Sequence, residues 1–197
     1  MENIWVWAAW LAAGYFAGAV PFGFLIGKSR GVDVRTVGSK NIGATNVYRT
    51  VGKKWGLLAF LCDFLKGLLP TLAAAKYAGC GGDLPVATGL ACVVGHTLTV
   101  FMKFKGGKGV ATAFGMMVAL IPYLALSALA VFVVTVWISH YISLGSCLAA
   151  AVLGAAVWFG ASPMSLKVIV TLIAVFVIVK HKSNIKRLID GCENRIY

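Results

Sequence analysis

Long apolar runs constrain this chain more than any other feature. Ile4–Ile26 carries no charged residue, and neither does Val110–Ser139. A soluble core cannot bury runs of that length on every side. A bilayer can, because its hydrocarbon core is ~30 Å thick and an α-helix rises ~1.5 Å per residue. Composition agrees: 60% of the 197 residues are hydrophobic, 12% are charged, and the mean hydropathy is +0.88. The expected class is all-α, a polytopic membrane protein of one domain over residues 1–197. The first run is long enough to span and follows Glu2 instead of a basic leader, so a cleaved secretory signal is not expected.

Candidate spans cover Asn3–Gly27, Trp55–Lys76, Leu84–Phe101, Val110–Ser139, Ile142–Gly160 and Ser165–Val179. The fourth is too long for one straight crossing, and Pro122 near its middle would break a helix. Charge then decides between six spans and seven. All of the 18 Lys and Arg except Lys66, Lys76 and Lys167 fall in three segments, 28–54, 102–109 and 180–195. Only seven spans put those three on one side, as the excess of basic residues in cytoplasmic loops requires. The reading is therefore seven helices, one of them (about 110–121) short or re-entrant. The N-terminus lies outside, and the C-terminus and polar loops face the cytoplasm of a bacterial inner membrane.

The three polar interruptions are GSKNIGATNVYR (38–49), FKGGKGVAT (104–112) and KHKSNIKRL (180–188). They are rich in the residue types that hold phosphate. In the first, Gly38 and Gly43 permit tight turns. Ser39, Asn41, Thr45 and Asn46 offer hydrogen bonds, and Arg49 offers a planar fork suited to phosphate. In the second, Gly106, Gly107 and Gly109 surround Lys108 just before an apolar helix, the layout of an anion cradle. It is not a Walker A loop, since Met102 and Gly109 replace the required Gly and Ser/Thr. In the third, His181, Asn184 and Arg187 form a helical stripe. Ser143 and Ser146, in HYISLGS (140–146), lie on the same side and read first as capping or packing hydroxyls. His96, in GHT (95–97), suits either a hydrogen-bonding helix-end residue or a proton acceptor.

Within the second span, Asp63 and Lys66 are three apart and share a face. They read first as a mutually neutralising pair, and otherwise Lys66 adds to the substrate field. Pro21 is expected to kink the first span. The five cysteines are scattered, lack metal-ligand spacing and read as small core residues. No GxSxG elbow occurs, and no histidine is followed five positions later by Asp. Covalent and metal catalysis are not indicated, and no carboxylate-oriented histidine is evident. The net charge of +12 is explained by membrane orientation, not by nucleic acid.

Together these segments, with AGAVPFGFLIGK (17–28), DFLKG (63–67), GHTLTVFMKFKGGKGVAT (95–112), YISLGS (141–146) and HKSNIKRLIDGCE (181–193), resemble the bacterial acyl-phosphate:glycerol-3-phosphate acyltransferases, the PlsY family. The resemblance spans nearly the whole chain. It implies a seven-span enzyme that moves a fatty acyl group from acyl phosphate to the 1-hydroxyl of sn-glycerol 3-phosphate, giving lysophosphatidic acid and phosphate. Lys40 stands where the family usually has Gly, which weakens any claim that residue 40 needs a glycine-only conformation. The substrate-holding residues are expected to be Ser39, Asn41, Thr45, Arg49, His96, Gly106, Gly107, Lys108, Ser146, His181 and Asn184. Lys108, His181 and Asn184 sit nearest the chemistry. A substrate phosphate is the favoured base, with His181 or His96 as alternatives. Partners are the two substrates and membrane lipid, with no cofactor, metal or nucleic acid. A transporter or flippase for a phosphorylated anion is the competing class.

Overall fold

The computed structural model describes residues 3–79 and 82–196, and among them the secondary structure is entirely helical. Glu2 and Cys80 lie outside the described residues. Contacts divide the chain into two compact units, Met1–Leu120 and Ile121–Tyr197. The first holds α1 (Ile4–Ala19), α2 (Phe22–Ser29), α3 (Ala44–Thr50), α4 (Lys53–Ala78), α5 (Asp83–Thr97) and α6 (Val110–Leu120). The second holds α7 (Pro122–Ser139), α8 (Ile142–Ala156), α9 (Met164–Lys180) and α10 (Lys182–Ile189).

Among the described residues, five segments are long and apolar enough to cross a membrane: Ile4–Ser29, Lys53–Ala78, Asp83–Met102, Pro122–Ser139 and Ile142–Phe159. The bent pair α9–α10 adds a sixth. With the short α6 they make the seven apolar helical segments that charge placement required. The break falls where proline dictates. α6 stops at Leu120, and α7 opens with Pro122 in its first turn, where the missing N–H costs nothing.

In the first unit, α1 packs on α5 and α4 packs on α6, both through small residues. A Cβ on Gly18 would run into the Cys92 backbone, and one on Gly95 into the Tyr15 carbonyl. On the other pair, a Cβ on Gly67 would strike the Thr112 carbonyl, and one on Gly115 the Phe64 carbonyl. Lipid gives helices no hydrophobic reason to associate, so close backbone approach of this kind supplies the van der Waals contact instead. Three buried hydroxyls are satisfied within their own helices. Thr71, Thr88 and Thr97 donate to the carbonyls of Gly67, Leu84 and Val93, at 2.7, 2.8 and 3.0 Å.

Pro21 breaks the first span outright, between Ala19 and Phe22. An unmet carbonyl in an apolar setting costs several kcal/mol, on the order of a lost hydrogen bond or more. Two carbonyls at the break take side-chain donors from other spans, Val20 O in addition to the Phe22 N–H. Thr99 Oγ1 donates to Ala19 O at 2.6 Å, and Lys66 Nζ donates to Val20 O at 2.8 Å.

In the second unit, α7 packs on α8 and α8 on α9. α7 buries only Ala125 and Ala128 and exposes Val133, Val134, Trp137 and Ile138, as a lipid-facing helix should. It ends on His140, which adopts a left-handed conformation (φ 64°) while its N–H closes onto Val136 O at 2.8 Å. α9 and α10 meet at His181 with a bend of 54°. Cys92 is buried, Cys62 and Cys147 are half-buried, and all are free thiols. Cys192 is exposed, so the core reading does not extend to it.

Candidate active site

The first polar segment is a loop built on one asparagine. Asn46 is 2% exposed, and its amide donates to Val34 O (2.8 Å) and Val37 O (3.2 Å) while its Oδ1 accepts from the Ser39 N–H (2.9 Å). It therefore ties residues 34–39 to α3, and the hydrogen bonds it offers serve as a scaffold for the loop. Gly38 has φ +58°, and a Cβ there would strike the Asn46 amide oxygen. Beneath the loop, Val34, Ile42, Val47 and Ala59 form a buried cluster, flanked by Phe24, Trp55 and Met102. Each of the larger three contributes about 1.5–3 kcal/mol by burial.

On that base the loop presents Ser39, which is exposed, and Asn41, whose Oδ1 accepts the Gly43 N–H at 2.8 Å. Lys40 between them has φ 57°. Residue 40 thus does adopt the conformation glycine prefers, and lysine occupies it at a cost. Thr45 and Arg49 follow on α3, four apart and on one face. Other cations nearby are engaged elsewhere. Arg35 pairs with Asp33 at 2.7 Å and stacks on Phe24. Hydrogen bonds from the Arg35 side chain and backbone hold the Asp33 carboxyl down at about 2. Arg30 lies over the Trp55 ring, 4.7 Å from its centroid.

The second polar segment also differs in detail from a bare cradle. The Gly106 N–H is donated to Thr97 O and the Gly107 N–H to His96 O, both at 3.1 Å. A Cβ on Gly106 would strike the His96 carbonyl, and one on Gly107 the His96 ring at Nε2. These two glycines are needed for close packing on the end of α5, and their N–H groups are not anion donors. The first turn of α6 follows directly, and its N–H groups have no carbonyl one turn back. Gly109 (φ +83°) turns the chain into that helix, and its carbonyl accepts the Ala113 N–H at 2.8 Å.

His96 is 6% exposed, and its Nδ1 lies 3.6 Å from Asp63 Oδ1. A histidine oriented toward a carboxylate is therefore present, contrary to the sequence reading. Its partner is on another helix, where local spacing gives no hint of it. Asp63 also pairs with Lys66 at 2.7 Å, the neutralising contact expected from their spacing.

The third polar segment is organised by a residue that sequence reasoning gave no role. Glu193 is 6% exposed. Its Oε1 accepts from Asn184 Nδ2 (2.7 Å) and Ser143 Oγ (3.0 Å), and its Oε2 from Arg187 Nε (2.7 Å). Burial alone would raise its carboxyl, but the hydrogen bonds from Asn184, Arg187 and Ser143 outweigh it and hold the carboxyl below the usual range. Its one sequence signal is its place, with Asp190, as one of two acids in a basic tail. Ser146 donates back to Ile142 O at 2.9 Å, the packing hydroxyl anticipated. His181 is 4% exposed, with Nδ1 2.8 Å from Val177 O. A carbonyl only accepts, so Nδ1 carries the proton and Nε2 is the basic nitrogen of the neutral ring. The expected stripe lies on α10, with His181 at its N-cap and Asn184 and Arg187 following, and the bend from α9 falls at its start.

The first unit brings together Ser39, Asn41, Thr45 and Arg49, and separately His96, Gly106, Gly107 and Lys108. The second carries Ser146 on α8 and His181 and Asn184 at the start of α10, and Glu193 links Asn184 to Ser143. Among the described residues, no three His, Cys, Asp or Glu side chains converge as metal ligands.

Comparison with known proteins assigns the family. The profile described as Glycerol-3-phosphate acyltransferase matches residues 8–191. A glycerol-3-phosphate acyltransferase of Trichlorobacter lovleyi is 51% identical over 186 residues, covering 94% of this chain and 95% of that one. One of Geobacter sulfurreducens is 48% identical over 184 residues, with 93% and 94% covered. The crystal structure of PlsY, an integral membrane glycerol 3-phosphate acyltransferase, in its glycerol 3-phosphate form superposes with a TM-score of 0.93 at 40% identity, covering 96% of this chain and 95% of that one. Its lysophosphatidic acid form gives 0.90 at 39% identity, with the same coverage. With this match over nearly its full length, the chain belongs to the glycerol-3-phosphate acyltransferase family.

Proposed function

We propose that the chain transfers an acyl group from acyl phosphate to the 1-hydroxyl of sn-glycerol 3-phosphate, releasing phosphate and lysophosphatidic acid. The observation that carries this is the likeness to a structure solved with glycerol 3-phosphate and again with lysophosphatidic acid, an acceptor and its acylated product. The transport alternative has no support in that family. Basic loops on one side of the spans argue for a bacterial inner-membrane enzyme, N-terminus outside and polar loops cytoplasmic. Membrane lipid surrounds the acyl chain. No cofactor, metal or nucleic acid enters the reaction.

The chemistry asks little of the protein beyond placement. The glycerol oxygen attacks the acyl carbonyl, the tetrahedral oxyanion collapses, and phosphate leaves with the electron pair of the broken C–O bond. Acyl phosphate is already a mixed anhydride with a good leaving group. Orientation and oxyanion stabilisation then supply most of the barrier reduction. Lys108 and the first turn of α6 hold one phosphate, and Arg49, Ser39, Asn41 and Thr45 contribute to phosphate binding from the first loop. Ser146, His181 and Asn184 complete the substrate contacts, with Lys108, His181 and Asn184 nearest the reacting atoms. His96, Gly106 and Gly107 support the Lys108 loop. The hydroxyl proton passes to a substrate phosphate.

Donor choice is tested by offering the purified protein acyl phosphate, acyl-CoA or acyl carrier protein, each with glycerol 3-phosphate. Product from acyl phosphate alone is expected. Equal or faster product from either thioester contradicts the acyl-phosphate reading and leaves the family assignment intact.

A further inference from the structure

Asp63 and Lys66 form a buried charged pair, beside His96, that the reaction as described does not use. Asp63 and Lys66 lie on α4, three apart, and their carboxylate and ammonium meet at 2.7 Å. Lys66 also donates to Val20 O at the Pro21 break and lies 5.6 Å from the Phe22 ring centroid. A pair of this kind neutralises its own charge and serves the broken helix, yet Asp63 Oδ1 is buried without a hydrogen-bond donor of its own. The same Asp63 oxygen lies 3.6 Å from Nδ1 of His96, on α5.

The opposite edge of the His96 ring, at Nε2, abuts Gly107, where no larger residue fits. The His96 carbonyl accepts the Gly107 N–H, and its neighbour Thr97 accepts that of Gly106. His96 is therefore held between a carboxylate on one side and the loop that carries Lys108 on the other. A shift of that ring displaces Gly107 and, one residue on, Lys108.

We propose that Asp63 is a positioning residue for acyl transfer, acting through His96 to seat the Gly106–Lys108 loop at the start of α6. The inference rests on Lys108 holding a substrate phosphate. A buried ion pair is weak as a source of stability, because well-packed apolar residues of similar size replace one at little or no cost. Placement is where such a group earns its position, since a displacement of about 1 Å at a binding group costs up to ~10²-fold in rate.

The test is steady-state kinetics on the full-length purified protein, with glycerol 3-phosphate varied at saturating acyl phosphate, beside thermal unfolding of each variant. Asp63→Asn is expected to lower kcat/KM by about 10- to 100-fold, mainly through KM for glycerol 3-phosphate. The double variant Asp63→Leu/Lys66→Met removes both charges together. It also removes the Lys66 bond to Val20 O, so it should unfold below the wild-type midpoint and stay impaired to a similar degree per folded molecule. Recovery of KM to within about twofold, per folded molecule, would make the pair purely structural and overturn the proposal. Should the double variant fail to fold, Asp63→Asn decides alone, and wild-type kinetics per folded molecule overturn the proposal. Lys108→Ala is measured in parallel. Wild-type KM in that variant refutes the phosphate role of Lys108 itself, whereas an impaired Lys108→Ala beside an unimpaired Asp63→Asn refutes only the positioning role.

Discussion

Replacing Glu193 should do more damage than replacing any other acidic residue outside the spans. Its carboxylate gathers three donors from three places, Ser143 on α8 and Asn184 and Arg187 on α10, at 2.7–3.0 Å. Each such bond to a charged group contributes about 1.5–3 kcal/mol, and removing one partner of a buried charged network costs about 3–5 kcal/mol. Glu193→Ala falls in that second range. Glu193→Gln keeps an acceptor for Asn184 and Ser143 but turns an amide N–H toward Arg187 Nε, donor against donor, at a cost of about 2–3 kcal/mol. For a chain of this size, 1 kcal/mol moves the midpoint by about 2–4 °C, so the Ala variant should unfold about 6–20 °C early and the Gln variant about 4–12 °C early. Scanning calorimetry in detergent reads both. The pH dependence gives an independent arm. The folded carboxyl is held below its unfolded range, so its stabilisation is complete above the unfolded pKa and disappears as pH falls through the folded one. The gap between wild type and Glu193→Gln should therefore narrow on acidification. A midpoint within about 2 °C of wild type for Glu193→Ala, or a gap that is constant with pH, would refute the network's role.

Three further outcomes are expected. Arg49→Lys should lower kcat/KM at least about 10-fold, because an ammonium cannot reproduce the planar fork, and wild-type kinetics would remove Arg49 from the phosphate set. Lys40→Gly should raise the unfolding midpoint by about 1–4 °C. Relief of the left-handed strain, about 1–2 kcal/mol, exceeds the roughly 0.5–1 kcal/mol entropy penalty of glycine, and a lower midpoint would contradict this. His181→Ala and His96→Ala, measured separately, should each retain substantial kcat once substrate is saturating. A loss above about 10⁴-fold in either, with binding intact, would identify an obligate protein base instead of a substrate phosphate.

The parts of this molecule that follow from local rules were legible in the sequence. Pro122 ends a helix because it has no N–H and clashes with the preceding turn. Asp63 and Lys66 pair because residues three apart share a helix face. What local rules do not carry are contacts between distant elements. His96 meets Asp63 from a different helix, and no periodicity links them. Asn46 and Glu193 were hidden for a related reason. Each is a polar residue in a polar segment, and only the fold shows that it faces inward to hold the segment together. Gly106 and Gly107 illustrate the reverse error. A glycine-rich loop before a helix suggests bare donors, yet the glycines here make room for the His96 ring and direct their N–H groups to backbone carbonyls. Lys40 shows that a non-glycine residue does not rule out a left-handed turn; it only makes one costlier.

The central claim is that the chain acylates glycerol 3-phosphate from acyl phosphate, and stoichiometry tests it most directly. Purified protein in lipid vesicles would receive acyl phosphate with labelled glycerol 3-phosphate, and inorganic phosphate and labelled lysophosphatidic acid would be measured together. The account predicts phosphate release that depends on glycerol 3-phosphate, with one phosphate formed per lysophosphatidic acid. Phosphate release indifferent to glycerol 3-phosphate, or label crossing the bilayer without acylation, would contradict it.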